Sequence, residues 1–471
     1  MTSAARDPGS FRDPSGHVYE VDGRILRSVN PVAADGYRAL RDSGLLAALS
    51  TKGWLLPAVE CDPTSVTLPD ANPTYLLEHP RVPFISYPYE WCFAAHRAAA
   101  LLHLDLHLAA LADGFTLSDA SAYNVQFLGP RPVFIDLLSL RPYRAGEIWA
   151  AHRQFCMQFL NPLLLEAKLG ISPQAWFRGQ PEGIDPVDLA KLLRWRHRLS
   201  WTVLAHVVLQ ARFQAKAQAT DQRAAASLKR AQLPAPAFKN MLLSLRDYIA
   251  GLDRPAARTV WADYAGNTSY STQEADQKRR MVGEMVTAVK PATLIDLGCN
   301  TGDYAALALA HGAQAVIGFD FDLGALDQAF ARATRDKLNF LPLWLDAANP
   351  SPDQGWGQRE RKGFAARAKA DGLLALALIH HLVIGRNIPM DDVVAWLIAM
   401  APHGIIEFVP KSDPMVQRLL ALREDIFPNY DEAAFRASIE RRARIHRAER
   451  LSEDGRLLVW YEAVGKQGDL S

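Results

Sequence analysis

The sequence predicts an α/β chain in two parts: an α+β domain, then a parallel sheet covered by helices. Three observations predict it. The 471 residues are more than one ordinary core holds. From about Val260, short apolar runs ("ATLIDLG", "AVIGFD", "FLPLWLD", "GLLALALI", "GIIEFV") alternate with helical stretches, as strands buried on both faces do. Before that point, short strand-like segments and hairpin signals are mixed irregularly with helices.

Asp22-Gly23 within "HVYEVDGRILRSV" marks a hairpin turn. Asn30-Pro31 opens a helix through about Leu49. Strand-like segments follow near Gly53–Val59 and Thr74–Tyr87, then a long amphipathic helix from Trp91 to about Asp113. "TLSDASAYNVQFLGPRPVFIDLLSL" reads as a loop and a hairpin, and helices fill about 146–212. Ala215–Arg258 is rich in Ala, Gln, Lys and Arg and reads as a helical, partly exposed linker. At the end, "RIHRAERL" and "RLLVWYEA" form an antiparallel hairpin, which brings the second sheet to seven strands. The expected domains are 1–214, the linker 215–258, and 259–471.

Lys+Arg is 52 against Asp+Glu 51, so no basic excess points to a large nucleic-acid surface. Cys61, Cys92, Cys156 and Cys299 lack metal-ligand spacing with one another, and no metal site is expected. Free thiols suit a reducing cytosol. The late apolar run "LLALALIHHLVI" falls short of the ~20 residues a membrane span needs. The expectation is a soluble, cytoplasmic protein.

The turn after the first strand of the second half, "DLGCNTGDY", narrows the ligand. A dinucleotide loop, G-x-G-x-x-G starting at Gly298, requires glycines where Asn300 and Asp303 stand, and Asp303 opposes a pyrophosphate. The alternative is D-x-G-x-x-x-G, in which Asp296 suits a ligand carrying a cationic ammonium. Asn300 is expected either to take positive φ or to bond within its own turn.

On "IDLGCNTG" and "VIGFD", the region from about Trp261 onward resembles the class I S-adenosylmethionine-dependent methyltransferases, which share a Rossmann-like fold. The resemblance implies that Asp296 and the backbone of Gly298, Asn300 and Gly302 hold the methionine end of S-adenosylmethionine. It implies that Asp320 accepts from the ribose hydroxyls, with Asp322 a nearby competitor, and that Asp346 meets the adenine amino group. In similar enzymes a segment such as Trp261–Arg280, with Tyr264, Tyr270 and Lys278, folds over the cofactor; the same stretch also reads as a helix start. His380 and His381 end the fourth strand beside the expected transfer site. In extended backbone they point to opposite faces, so at most one of them is expected to face the acceptor, where it could serve as a general base. Glu407, Lys411 and Asp413 follow the fifth strand as further acceptor-site candidates.

In the first half, Asp119, Asn124 and Asp136 resemble the catalytic loop and metal-binding segment of the protein-kinase-like fold, with "ISYPYEW" as its hinge. The departures are a missing Gly-rich loop, a missing His-Arg before the Asp, and Lys52 as the single lysine of residues 1–150. Arg24 or Arg27 would have to replace the usual lysine. A degenerate domain that binds acceptor, nucleotide or partner is the expectation. Over nearly its whole length the chain is also similar to long bacterial methyltransferase-like proteins, on "PFISYPYEWCF", "SDASAYNVQF" and "IIEFVPKSDPMVQRLL". Three functions follow from these resemblances: methyl transfer to an O- or N-nucleophile of an unidentified acceptor; a bifunctional kinase–methyltransferase acting on a saccharide or other small molecule; or a partner-recruiting module.

Overall fold

The computed structural model describes residues 4–69, 72–212, 232–255, 272–421, 423–451 and 455–464. Tyr264, Tyr270 and most of the expected cofactor-covering segment lie outside them. The chain divides into two units, Met1–Ala257 with Asp353–Arg361, and Arg258–Pro352 with Lys362–Ser471.

The first unit begins with an antiparallel sheet of order β1-β2-β3-β5-β4: β1 (Ala5–Arg6), β2 (Val18–Val21), β3 (Arg24–Val29), β4 (Val59–Cys61) and β5 (Tyr75–His79). Asp22 (φ 51°) and Gly23 (φ 79°) make the two-residue turn between β2 and β3, because a tight hairpin needs left-handed backbone at both positions. Gly44 (φ 79°) splits the expected single helix into Pro31–Asp42 and Leu45–Thr51.

The Phe93–Ala112 helix differs from its expected amphipathic form. It buries residues all round, including His96, His103 and His107, because strands and the Ala235–Ala250 helix both pack on it. That second helix falls inside the expected linker. Its Phe238, Leu242, Leu245 and Ile249 recur at helical spacing and are fully buried, so this part of the stretch is core rather than exposed connection. The hairpin of β7 (Val125–Leu128) and β8 (Arg131–Phe134) is a separate small sheet, as is the pair of β6 (Phe115–Leu117) with β9 (Leu140–Pro142).

The second unit is a seven-stranded sheet of order β12-β11-β10-β13-β14-β16-β15. Its strands are β10 (Thr293–Leu297), β11 (Ala315–Asp320), β12 (Phe340–Trp344), β13 (Gly372–Ala375), β14 (His403–Phe408), β15 (Ala443–Arg450) and β16 (Leu457–Ala463). The first five are parallel and almost wholly buried, as expected of strands covered on both faces. β16 is antiparallel to both β14 and β15, which is the expected terminal hairpin. The order reverses between β10 and β13, and ligands of such sheets bind beyond the strand ends at that switch point.

Candidate functional site

Past β10 the chain turns through three left-handed residues, Gly298 (φ 81°), Asn300 (φ 47°) and Gly302 (φ 84°). Asparagine tolerates that backbone better than most residues, so Asn300 meets its expectation. Its N–H donates to Asp320 Oδ2 at 2.9 Å. A Cβ at residue 302 would stand 2.5 Å from Phe340 Cε1, so the close approach there requires glycine. Gly302 opens the Asp303–Ala310 helix without a capping side chain.

Asp296 lies on β10 immediately before this turn and is 2% exposed. Its Oδ2 has no hydrogen-bond partner among the described residues. Burial first, then the charge of Asp320, pushes its carboxyl up to about 7, against a downward pull from Lys278.

Asp320 ends β11 and accepts from the N–H groups of Asn300 and Asp322, one on each oxygen, at 2.9 and 2.8 Å. Burial raises its pKa. Its competitor, Asp322, caps the Leu323–Arg335 helix by accepting from Gly324 and Ala325. Asp320 is therefore the carboxylate turned to the loop. Asp346, just past β12, accepts from Ala348 N–H at 3.1 Å and has Arg386 at 3.7 Å.

The histidines depart from expectation. β13 stops at Ala375, Ala377 takes φ 50°, and His380 and His381 fall in the first turn of the Ile379–Arg386 helix. Their rings lie 4.1 Å apart rather than on opposite faces. Burial is the main cause of their lowered pKa values, His381 to about 4 and His380 well below its ordinary value. Both are neutral near pH 7.

Lys278 is 3% exposed and pairs with Glu407 at 2.6 Å. Glu407 is fully buried, also accepts from Ala377 N–H at 2.8 Å, and has Arg456 at 3.4 Å. Arg456 in turn bonds Asp413, which caps the Pro414–Leu420 helix. Lys411 pairs with Asp425 at 2.7 Å. Glu407 and Asp413 thus form an internal charge network that pins the left-handed turn at Ala377.

In the first unit, Asp119, Asn124 and Asp136 do converge. The β7–β8 hairpin sets Asn124 beside Asp136, and Asn124 Nδ2 donates to Asp119 Oδ2 at 3.0 Å and to Asp136 Oδ2 at 3.3 Å. Arg27, on β3, lies 2.7 Å from Asp136 and 2.9 Å from Asp13. Arg24 is instead paired with Glu78 at 2.6 Å, and Lys52 stacks over Trp54.

No protein-family model matches the chain. The nodulation protein NoeA of Rhizobium meliloti (strain 1021) is 46% identical over 458 residues, 97% of this chain and 96% of that protein. The chain belongs to the NoeA family. Among solved structures, WbdD matches with a TM-score of 0.30 and 15% identity over 46% of each chain, so the match spans less than half of WbdD. The N-methyltransferase NodS from Bradyrhizobium japonicum WM9 matches with a TM-score of 0.31 and 12% identity, over 41% of this chain and 99% of that one. At these scores neither likeness identifies a function.

Two features of this NoeA-family chain escape the sequence reading. One is the buried Lys278–Glu407–Arg456–Asp413 network, which joins Lys278 and Arg456 to the Glu407–Asp413 stretch from far along the chain. The other is Phe321, 58% exposed directly after Asp320, with its ring 5.9 Å from Trp344. A large exposed apolar residue following a strand-end acid is a signal that "FDFD" already carries. Among the described residues no helix is long and apolar enough to cross a membrane.

Proposed function

We propose that the second unit binds S-adenosylmethionine and transfers its methyl group to an oxygen or nitrogen of an acceptor. The observation that supports this most is Asp296, a buried carboxylate with an unpartnered oxygen beside a turn of three left-handed residues at the switch point. A buried anion left unpaired is costly, and a cationic ammonium offsets that cost. The residues present fit the cofactor: Asp296 would hold the ammonium, the Gly298–Gly302 backbone would approach the methionine end, Asp320 would accept from the ribose hydroxyls, and Asp346 would meet the adenine. When bound, the cofactor supplies an electrophilic methyl group.

The chain's own contribution is orientation. His380 and His381, neutral near pH 7, suit hydrogen bonding to an acceptor; with a conjugate acid of pKa about 4, His381 is a weak base. Placing the acceptor in line supplies much of the rate in such a displacement. Lys278 serves the site indirectly, by balancing Glu407.

The first unit has the elements of a kinase-like scaffold: an antiparallel sheet, a helical part, and the converged Asp119–Asn124–Asp136 loop. We read it as a binding domain, because Arg27 already occupies Asp136. The relative's name places it in nodulation, and a nodulation-related small molecule or saccharide is the acceptor class we favour.

Purified protein is incubated with methyl-labelled S-adenosylmethionine and fractionated extract. Label is expected in a small-molecule or saccharide fraction and is lost in Asp320→Ala. Label independent of Asp320, or none in any fraction, would count against the reading.

A further inference from the structure

A further cluster of metal-ligating side chains lies in the helical part of the first unit, on a segment whose Gln154 and Gln158 accept from the Asp119–Asn124 loop. His152 opens the His152–Phe155 helix, Cys156 begins the wider π-helical turn Cys156–Leu160, and His206 sits in a second π-helical turn, Leu204–Leu209. His152 and Cys156 are one turn apart and share a face. His152 Nε2 is 2.8 Å from His206 Nδ1 and 3.6 Å from Cys156 Sγ, and one ligand atom from each residue lies within 4.8 Å of the other two. Cys156 is fully buried and His206 9% exposed, while His152 is partly open to solvent. π-Helical turns are rare and concentrate at functional sites, and both helical segments of this cluster carry one.

We propose that His152, Cys156 and His206 form a three-ligand site for a borderline-soft divalent metal ion, with zinc the best fit. The donor set is one sulfur and two imidazole nitrogens, with no carboxylate, which suits zinc and disfavours magnesium and calcium. Tetrahedral zinc, with bonds of ~2.0–2.1 Å to nitrogen and ~2.3 Å to sulfur, sets its sulfur and nitrogen ligands roughly 3.6 Å apart. The Cys156–His152 separation already matches. The two imidazole nitrogens must part by about half an ångström to accept the same ion. The proton now shared between them moves to another nitrogen of the same ring pair, so binding expels one net proton, that of the Cys156 thiol. Three protein ligands leave the fourth vertex to water. The ion ties Cys156 to a helix turn far along the chain, so its first effect is to staple the helical part of the unit.

Spacing among the four cysteines does not reveal this set, because it is built from one cysteine and two histidines, one of them 50 residues further along.

The test uses the full chain, stripped with a chelator and titrated with cobalt(II), then zinc(II). One ion per chain is expected, with a thiolate-to-cobalt charge-transfer band in the ultraviolet that zinc abolishes. Zinc should raise the melting temperature by on the order of 5 °C, and magnesium should not. Cys156→Ser should lose both the band and the zinc shift. If Cys156→Ser does not fold, His152→Gln at the partly open ligand serves instead, with cobalt affinity lowered at least ~10-fold. A folded, stripped protein that takes up no cobalt overturns the proposal, as does a band and zinc shift that survive in Cys156→Ser.

Discussion

In the second unit, Asp296 is buried with one carboxylate oxygen unpartnered, and its pKa rises to about 7. In the first, Asp136 stands just past the end of β8 and is also held against ionisation by burial, but Arg27 lies 2.7 Å away and Asn124 donates to it. One loop keeps an acid whose ionised form has no bonded cation among the described residues; the other has supplied its own. Residue type and strand-end position are shared, so neither distinguishes a site ready for a ligand from one that is satisfied internally. Charge balance in the folded chain makes the distinction.

The largest effect that would sharpen this contrast is in the first unit. Arg27→Met leaves Asp136 and Asp13 without their cation, and a broken buried pair costs roughly 3–5 kcal/mol. Urea unfolding should show that loss, and Asp136→Asn in the same chain should restore part of it. Tight magnesium–nucleotide binding by the wild type, abolished by Asp136→Ala, would break the contrast by showing that Arg27 yields to a metal.

Next comes the pH dependence of the second unit. Asp296 is raised from 3.8 to about 7 by folding, so the ligand-free chain is favoured while that carboxyl is protonated. This contribution is fully present below about pH 4 and is lost as pH rises through about 7, up to about 4 kcal/mol in all. Asp296→Asn should flatten that slope in thermal melts, and an unchanged slope would assign it elsewhere. The smallest effect expected is from His381→Ala: less than about tenfold in methyl-transfer rate, since positioning rather than proton transfer is its role. A loss of a hundredfold or more would restore it as a base.

Much of this was legible in the sequence because burial on both faces writes itself as apolar runs, and strand-end acids interrupt them visibly. Asn300 was legible because few side chains tolerate its backbone. The histidines were not: an apolar run does not reveal where strand becomes helix. Here the break is made by Ala377, whose left-handed turn is held by Glu407 from a neighbouring strand. The Ala235–Ala250 helix carried its buried face at readable spacing, but its polar flanks obscured it. Arg27 with Asp136, and the Asp353–Arg361 segment grouped with the first unit, depend on contacts between residues far apart in the chain and leave no local mark.

The most direct measurement is calorimetric titration of S-adenosylmethionine into wild-type protein and Asp296→Asn at pH 8. One site per chain is predicted in the wild type. Asp296→Asn should bind at least ~30-fold more weakly, because a buried charge partner is worth about 2–5 kcal/mol. No heat with the wild type, or equal affinity in the two proteins, would contradict the assignment of Asp296 as the anion that receives the cofactor.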